Sequence, residues 1–243
     1  MKYAIIAAGE GSRLASEGVS SPKPLVVVNG ECLIDRLVRV FAENNAERIC
    51  VICNEQMKDV ALHIDSLEKD GYKGQRLPLE HIVKSTPSSM HSFYEVSRLV
   101  GNGPVVLTTV DTIFSAKEFS SYVSAFEKAL EEGYDGLMGV TDYIDDEKPL
   151  YVSTDSDNNV TGFHDAYVDG CRYISGGIYG LTAPCVRILE ECMCKGVSRM
   201  RNFQRALVDG GMKLKAYPFS KVLDVDHASD IAKAEEFLNS SLL

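Results

Sequence analysis

Two glycines and two cations lie close together near the N-terminus, in Ala7-Ala-Gly-Glu-Gly-Ser-Arg-Leu14 and Pro22-Lys-Pro-Leu25. Gly9 and Gly11 let the backbone turn tightly after the apolar run Tyr3–Ala8 and aim its N–H groups at an anion. Pro22 and Pro24 restrict the chain around Lys23, so its ammonium is presented with less conformational freedom to lose. Arg13 and Lys23 beside a ring of backbone donors suit a triphosphate. A dinucleotide fingerprint would need a third glycine where Leu14 stands, and a Walker loop would need a Gly-Lys-Ser/Thr sequence that the chain lacks.

Carboxylates form the second chemical signal. Asp111 directly follows the apolar run Val105–Val110, and a carboxylate there, facing a triphosphate, is a natural Mg²⁺ ligand. Near the C-terminus, Leu223-Asp-Val-Asp-His-Ala-Ser-Asp230 puts Asp224 and Asp226 on one face of a short strand. Asp230 opens the last helix, where a negative charge is favoured. Helix capping therefore explains Asp230 well and Asp226 poorly.

Other groupings carry less. Asp155, Asp157 and Asn159 imitate the start of an EF-hand loop, but Val160 and Ala166 stand where its glycine and glutamate belong. Seven cysteines, an odd number, exclude a complete internal disulfide framework. Cys50 and Cys53 fall in a strand pattern that points them to opposite faces, and Cys192 and Cys194 in a helix pattern, so buried thiols are expected rather than zinc. His63, His81, His91 and His164 show no ligand spacing among themselves. A formal charge of -10 argues against a nucleic-acid backbone as partner. With 45% hydrophobic and 25% charged residues, the chain has ample material for a core. It holds no apolar stretch long enough to span a membrane and no leader-like apolar run before Glu10, which leads us to expect a soluble, cytoplasmic protein.

Positioning these groups needs strand ends. Tyr3–Ala8, Ile49–Ile52, Leu79–Val83, Val105–Val110 and Gly136–Val140 are continuous apolar runs, as in parallel strands buried on both faces. Helical patterns lie between them, including the stripe Leu33, Ile34, Leu37, Val38 and Phe41, and Ser115-Ala-Lys-Glu118 reads as a capping box opening a helix to about Glu132. This alternation predicts an α/β fold with a doubly wound, mostly parallel, Rossmann-like sheet. If the Val105–Val110 strand lies beside the first, the glycine turn and Asp111 open onto one crevice. After about residue 141 the rhythm changes. Leu150–Thr154 and Val160–His164 flank a hairpin, a strand Arg172–Leu181 follows, and helices are expected near 185–194 and 199–208. Strands Lys213–Pro218 and Lys221–Val225 precede a helix from about Ser229. We expect residues 1–243 to form one domain, with a nucleotide-binding half to residue 141 and an acceptor-binding hairpin and lid portion in 142–243.

On these residues the chain resembles the sugar-phosphate nucleotidyltransferases. Their signature runs roughly G-x-G-T/S-R-L, seven residues, then P-K-P-L, and this chain keeps that interval from Ala15 to Ser21. Ser16-Glu-Gly18 departs from the Pro-Leu-Thr of many members. The resemblance implies nucleotide binding by Ala8, Gly9, Gly11 and Ser12 and catalytic roles for Arg13 and Lys23. It implies a metal-binding aspartate at Asp111, usually preceded by glycine rather than Val110. The segment 224–230 looks like the family's D-x-D-T-x-x-D, whose middle aspartate, Asp226 here, is the second metal ligand. His227 replaces the usual threonine, and Asp224 stays open as a substitute ligand. Ser88 and Ser89 correspond to a loop that touches nucleobase and ribose, with helix capping an equal reading for either. Tyr173-Ile-Ser-Gly-Gly-Ile-Tyr179 resembles Y-x-N-x-G-I-Y, so Gly176 or Gly177 would let the backbone approach a sugar, or else form a bulge. The lysine that sugar-specific relatives often carry near Phe163-His-Asp165 is missing, and Lys148 is the candidate to replace it at the acceptor phosphate.

The implied reaction is Mg²⁺-dependent condensation of an NTP with a sugar 1-phosphate, giving an NDP-sugar and pyrophosphate. The partners are then an NTP and a phosphorylated small molecule, with no nucleic acid and no membrane. One alternative is a cytidylyltransferase acting on phosphocholine or an aminoalkyl phosphonate, for which Tyr143, Asp145, Asp146, Tyr167 and Asp169 could cage an ammonium. The other is a catalytically silent nucleotide sensor of the same fold.

Overall fold

Continuous apolar runs become the interior strands of the sheet in a computed structural model that describes residues 1–240. The first half comprises β1 (Lys2–Ala7), α1 (Ser12–Ser16), β2 (Val27–Val28), β3 (Glu31–Cys32), α2 (Leu33–Glu43), β4 (Arg48–Cys53), α3 (Lys58–Asp70) and β5 (Leu79–Val83). It continues with α4 (Ser89–Val100), β6 (Val105–Thr109), β7 (Thr112–Ile113), α5 (Ala116–Glu131) and β8 (Gly136–Thr141). The second half comprises β9 (Tyr151–Thr154), β10 (Val160–His164), β11 (Tyr173–Leu181), α6 (Ala183–Cys194), α7 (Met200–Asp209), β12 (Leu214–Phe219), β13 (Leu223–Asp224) and α8 (Ala228–Ser240).

The sheet runs β10-β9-β11-β6-β1-β4-β5, with β8 branching from β11 and β12 paired to β8. β6, β1, β4 and β5 are parallel neighbours, so their carboxyl ends open on one edge. β1 shows why both faces must be apolar. Tyr3, Ile5 and Ala7 enter one core with α2, α3, α5 and α8, while Ala4 and Ile6 enter the other with α4, α6 and α7. Cys50 and Cys53 divide between the same two cores, and all seven cysteines are free thiols. The α2 stripe is wholly buried, as its spacing requires.

Three features differ from the sequence reading. The apolar run at β8 does not extend the parallel block: it pairs antiparallel with β11 and parallel with β12. Asn29-Gly30 closes a small β2–β3 hairpin in which both residues take positive φ, 50° and 76°, the turn an Asn-Gly pair favours. Ser115 does accept from the Glu118 N–H, but the reciprocal half of the capping box is absent. The Glu118 carboxylate instead accepts from the Ser220 N–H and hydroxyl, tying α5 to the turn before β13.

Candidate active site

The glycine turn leaves β1 at the open edge and runs directly into α1. Gly11 takes φ 61°, and a Cβ there would stand 3.0 Å from the Lys23 Cβ. Glycine is thus needed twice, for the left-handed turn and for the close passage of Lys23. Lys23 begins a 3₁₀ turn, Lys23–Leu25, between its two prolines, and is only 8% exposed. Asn54, buried at the end of β4, donates to the Ala8 carbonyl at 3.2 Å and accepts from the Ser85 hydroxyl at 2.8 Å. It locks the glycine turn to the loop after β5.

Asp111 and Asp226 are brought together by two short strands. β7 and β13 pair antiparallel, with Asp224 opposite Thr112, and the Val225 N–H donates to the Asp111 carbonyl at 3.1 Å. Both carboxylates then converge on one point, which the Lys23 ammonium occupies. It donates to Asp226 Oδ1 at 2.6 Å and also to Asp111 Oδ2. Arg13 donates to the other oxygen of Asp226 at 2.9 Å.

Enclosure alone would raise the Asp111 carboxyl, but Lys23 beside it and a hydrogen bond from Thr109 hold it below the ordinary carboxylate range. Enclosure alone would likewise lower Lys23, and the two aspartates hold it above its usual value instead. Asp224 behaves oppositely. Desolvation at the cleft wall, with repulsion from Asp111 and Asp226, pushes its carboxyl up to about 8. On the far side of Asp226, Glu17 accepts from the Ala228 N–H at 2.7 Å and pairs with His227 at 2.6 Å. The pairing raises His227 and lowers Glu17. Two of the positions that depart from the family signature, Glu17 and His227, therefore meet each other.

Two cavities share Arg13 and Asp226. The first, about 620 Å³, is lined by Ala8, Gly9, Gly11, Ser12, Lys23, Ser88, Ser89 and Asp111. Ser88 stands at the N-cap of α4 but makes no side-chain cap bond, pairing with His91 at 2.8 Å instead. Asn54, Thr86, Ser92 and Thr109 also line this cavity, and sequence reading missed them; polar residues immediately beyond strand ends were the available sign. The second, about 240 Å³, is lined by Thr141, Tyr143, Ile174, Ser175, Gly176 and a ring of acidic groups that includes Asp145, Asp146 and Asp224.

Not every expected acceptor residue reaches it. Gly177, at φ 71°, sits in the β11 bulge against Thr112 and lines neither cavity. Lys148 also lines neither: it is exposed in the loop before β9, its N–H donates to Asp146 and its carbonyl accepts from Arg201. Tyr167 and Asp169 are outside as well, with Tyr167 packed edge-on against Tyr151. The Asp155 carboxylate closes its own hairpin turn, accepting from the Asp157 and Asn159 N–H groups. Away from both cavities, Asp65 and Glu68 of α3 face His81, whose two ring nitrogens pair with them at 3.6 and 2.8 Å.

Residues 3–156 match the family described as the MobA-like NTP transferase domain. Among curated proteins, the bifunctional protein GlmU of Neisseria gonorrhoeae is 27% identical over 116 residues, 46% of this chain. The match spans 24% of that relative, so the chain corresponds to about a quarter of its length. The inositol-1-phosphate CTP transferase of T. maritima superposes with a TM-score of 0.76 at 21% identity, covering 99% of this chain and 95% of that one. An apo UDP-glucose pyrophosphorylase gives 0.79 at 14% identity, with both chains fully covered. These similarities extend the same fold over the whole chain. Among the described residues no helix is long and apolar enough to cross a membrane.

Proposed function

Because the chain belongs to the MobA-like NTP transferase family, we propose that it transfers a nucleotidyl group from an NTP to a phosphorylated small molecule, releasing pyrophosphate. The observation that carries this reading is the meeting of Arg13, Lys23, Asp111 and Asp226 where the two cavities join. The larger cavity has the size and the polar loops for a nucleotide. The smaller one opens beside the same aspartate, where an acceptor phosphate would face the α-phosphorus.

An acceptor phosphate oxygen is already a nucleophile, so no strong general base is required. It attacks the α-phosphorus, the bond to the β-phosphate oxygen breaks, and pyrophosphate leaves. The protein contributes positioning and charge stabilisation. Arg13 and Lys23 would turn from Asp226 to the β- and γ-phosphates, holding the leaving group. Asp111 and Asp226 fit a magnesium ion, since two hard oxygen donors converge on a point that a cation already fills. When bound, that ion would screen the repulsion between the two phosphates. Ser88 and Ser89, which line the larger cavity at the start of α4, would serve the nucleoside end.

We take the acceptor to be of the sugar 1-phosphate type: one structural neighbour of this fold is described as a UDP-glucose pyrophosphorylase, and another as a transferase for the cyclitol ester inositol 1-phosphate. The alternative, an amine-bearing alkyl phosphate or phosphonate, is favoured by the acidic lining of the smaller cavity. Incubation with each NTP, magnesium and a panel of both acceptor classes, with pyrophosphate measured, tests the reading. Pyrophosphate should form only when NTP and acceptor are both present. Its absence with every pair, in protein that binds NTP, would reduce the chain to a nucleotide-binding protein.

A further inference from the structure

We infer that Thr112 and Gly177, which line neither cavity, orient the Asp111 carboxylate by way of the Thr109 hydroxyl. This rests on the reading of Asp111 as a metal ligand in the reaction proposed above.

Asp111 is a turn residue. It lies in Val110-Asp111, between the end of β6 and the start of β7, and its carbonyl accepts from the Val225 N–H. That bond holds the main chain and leaves the side chain its own torsions, the last of which has a broad energy well. Lys23 steadies the carboxylate as well. Once Lys23 turns to the phosphates, as proposed above, another anchor has to keep Asp111 in place.

Thr109 is that anchor. Its hydroxyl gives a hydrogen bond to Asp111, and a hydroxyl has a single proton to donate. The 2.8 Å contact between the Thr109 and Thr112 hydroxyls then runs one way, from Thr112 to Thr109. β-Branching restricts χ1 in both threonines, so each oxygen is held in a set direction. Thr112 is fully buried and opens onto neither cavity, so the effect of its hydroxyl on the cleft runs through Thr109.

Gly177 makes room for this chain of hydroxyls. It sits where the pairing of β11 with β8 shifts register, at φ 71°. A Cβ there would lie 3.2 Å from the Thr112 Oγ1 and 3.8 Å from the Thr109 Oγ1. A side chain at this position would press on the hydroxyl that starts the chain. The two adjacent glycines of β11 thus divide their work: Gly176 lines the acceptor cavity, and Gly177 backs the aspartate.

The test reads metal binding without turnover. Mn²⁺ is titrated by electron paramagnetic resonance into nucleotide-free protein carrying Lys23→Ala, which stands for the state in which the ammonium has left the aspartates. Added to that background, Thr109→Val should weaken Mn²⁺ binding about 10–100-fold, the usual effect of removing a partner that orients a ligating carboxylate. Thr112→Val should weaken it about three- to tenfold, the equivalent of one neutral hydrogen bond. Thr109→Ser and Thr112→Ser should each keep most of the background affinity. Gly177→Ala should lower both Tm and Mn²⁺ affinity. Gly101→Ala is its control: at φ 66° with open space around its Cβ, it should lower Tm and leave Mn²⁺ affinity unchanged. With Lys23 intact, Thr112→Val should raise the half-saturating magnesium for pyrophosphate release while KM for the NTP stays the same. Thr112→Val binding Mn²⁺ as tightly as the background, or serine variants losing as much as valine, would overturn the inference. So would a background protein that binds no Mn²⁺. The expected Mn²⁺ series with no pyrophosphate from any substrate pair would remove the proposed reaction and leave the orienting chain standing.

Discussion

Replacing Lys23 with alanine withdraws the one cation that both aspartates share. Its side chain is 9% exposed, against 18% for Asp111 and 41% for Asp226. Removing one partner of a buried ion pair costs about 3–5 kcal/mol, because the other charge is left enclosed. The Asp226 half, at its exposure, contributes on the surface scale of below about 1 kcal/mol. Asp111 keeps some contact with cleft solvent, so we take about 3 kcal/mol in total. For a chain of this size that corresponds to a fall in Tm of roughly 6–12 °C. The sign with pH follows from the two shifts. The lowered Asp111 stabilises above the ordinary carboxylate range and loses this as pH falls through its own value, while the raised Lys23 stabilises until pH rises past the ordinary lysine value. The full difference between the proteins should therefore span roughly pH 4 to roughly pH 10 and shrink outside it. Magnesium gives the decisive arm. In the variant the ion enters a vacated position, and at about 100 times its Kd it returns about 2.7 kcal/mol. In the wild type it must first displace the ammonium, so the same addition should raise Tm less. Thermal melts of both proteins, with and without excess magnesium chloride and without nucleotide, measure all of this. A variant as stable as the wild type, or a larger magnesium effect in the wild type, would refute the reasoning.

Asp226→Ala should abolish the response of activity to magnesium, whereas Asp224→Ala should keep it at a higher half-saturating concentration; the reverse ranking in a magnesium titration would make Asp224 the ligand. Gly11→Ala should cost roughly 1–2 kcal/mol from its left-handed backbone alone and lower kcat further, because its Cβ meets Lys23; melts and kinetics on one preparation check both parts. Glu17→Ala removes the acceptor for the Ala228 N–H and the partner of His227, so Tm should fall and the magnesium requirement rise, with Glu17→Gln restoring much of each.

The parallel block was legible because strands buried on both faces write themselves as unbroken apolar runs, and Gly9, Gly11, Lys23 and Asp111 could be set at its edge from strand order alone. What was hidden is long-range or too short for a period. β7 and β13 are two residues each, yet their pairing is what carries Asp226 to Asp111. Lys23 meets partners 88 and 203 residues away, and no local pattern encodes that it bridges them. Lys148 reads from sequence as a replacement lysine on the neighbouring strand, whereas it lies in the exposed loop before β9 with its backbone bonded to Asp146 and Arg201. Of the suspected ammonium cage, Tyr143, Asp145 and Asp146 share a cavity because one loop carries them, while Tyr167 and Asp169 follow the β9–β10 hairpin elsewhere. Asn29-Gly30 is a turn signal in the sequence, but its two-residue strands are too short to show the alternation that would mark a hairpin.

Phosphorus NMR of a single turnover mixture tests the central claim most directly. Protein, magnesium, an NTP and a turned-over acceptor should lose the three NTP resonances and the acceptor monoester together. Pyrophosphate and a coupled pair of diphosphate-diester resonances should replace them in equal amounts. That outcome places the new bond at the α-phosphorus, as the meeting of Arg13, Lys23, Asp111 and Asp226 requires. Nucleoside diphosphate with orthophosphate or a doubly phosphorylated acceptor would put the chemistry at the γ-phosphorus and contradict the account.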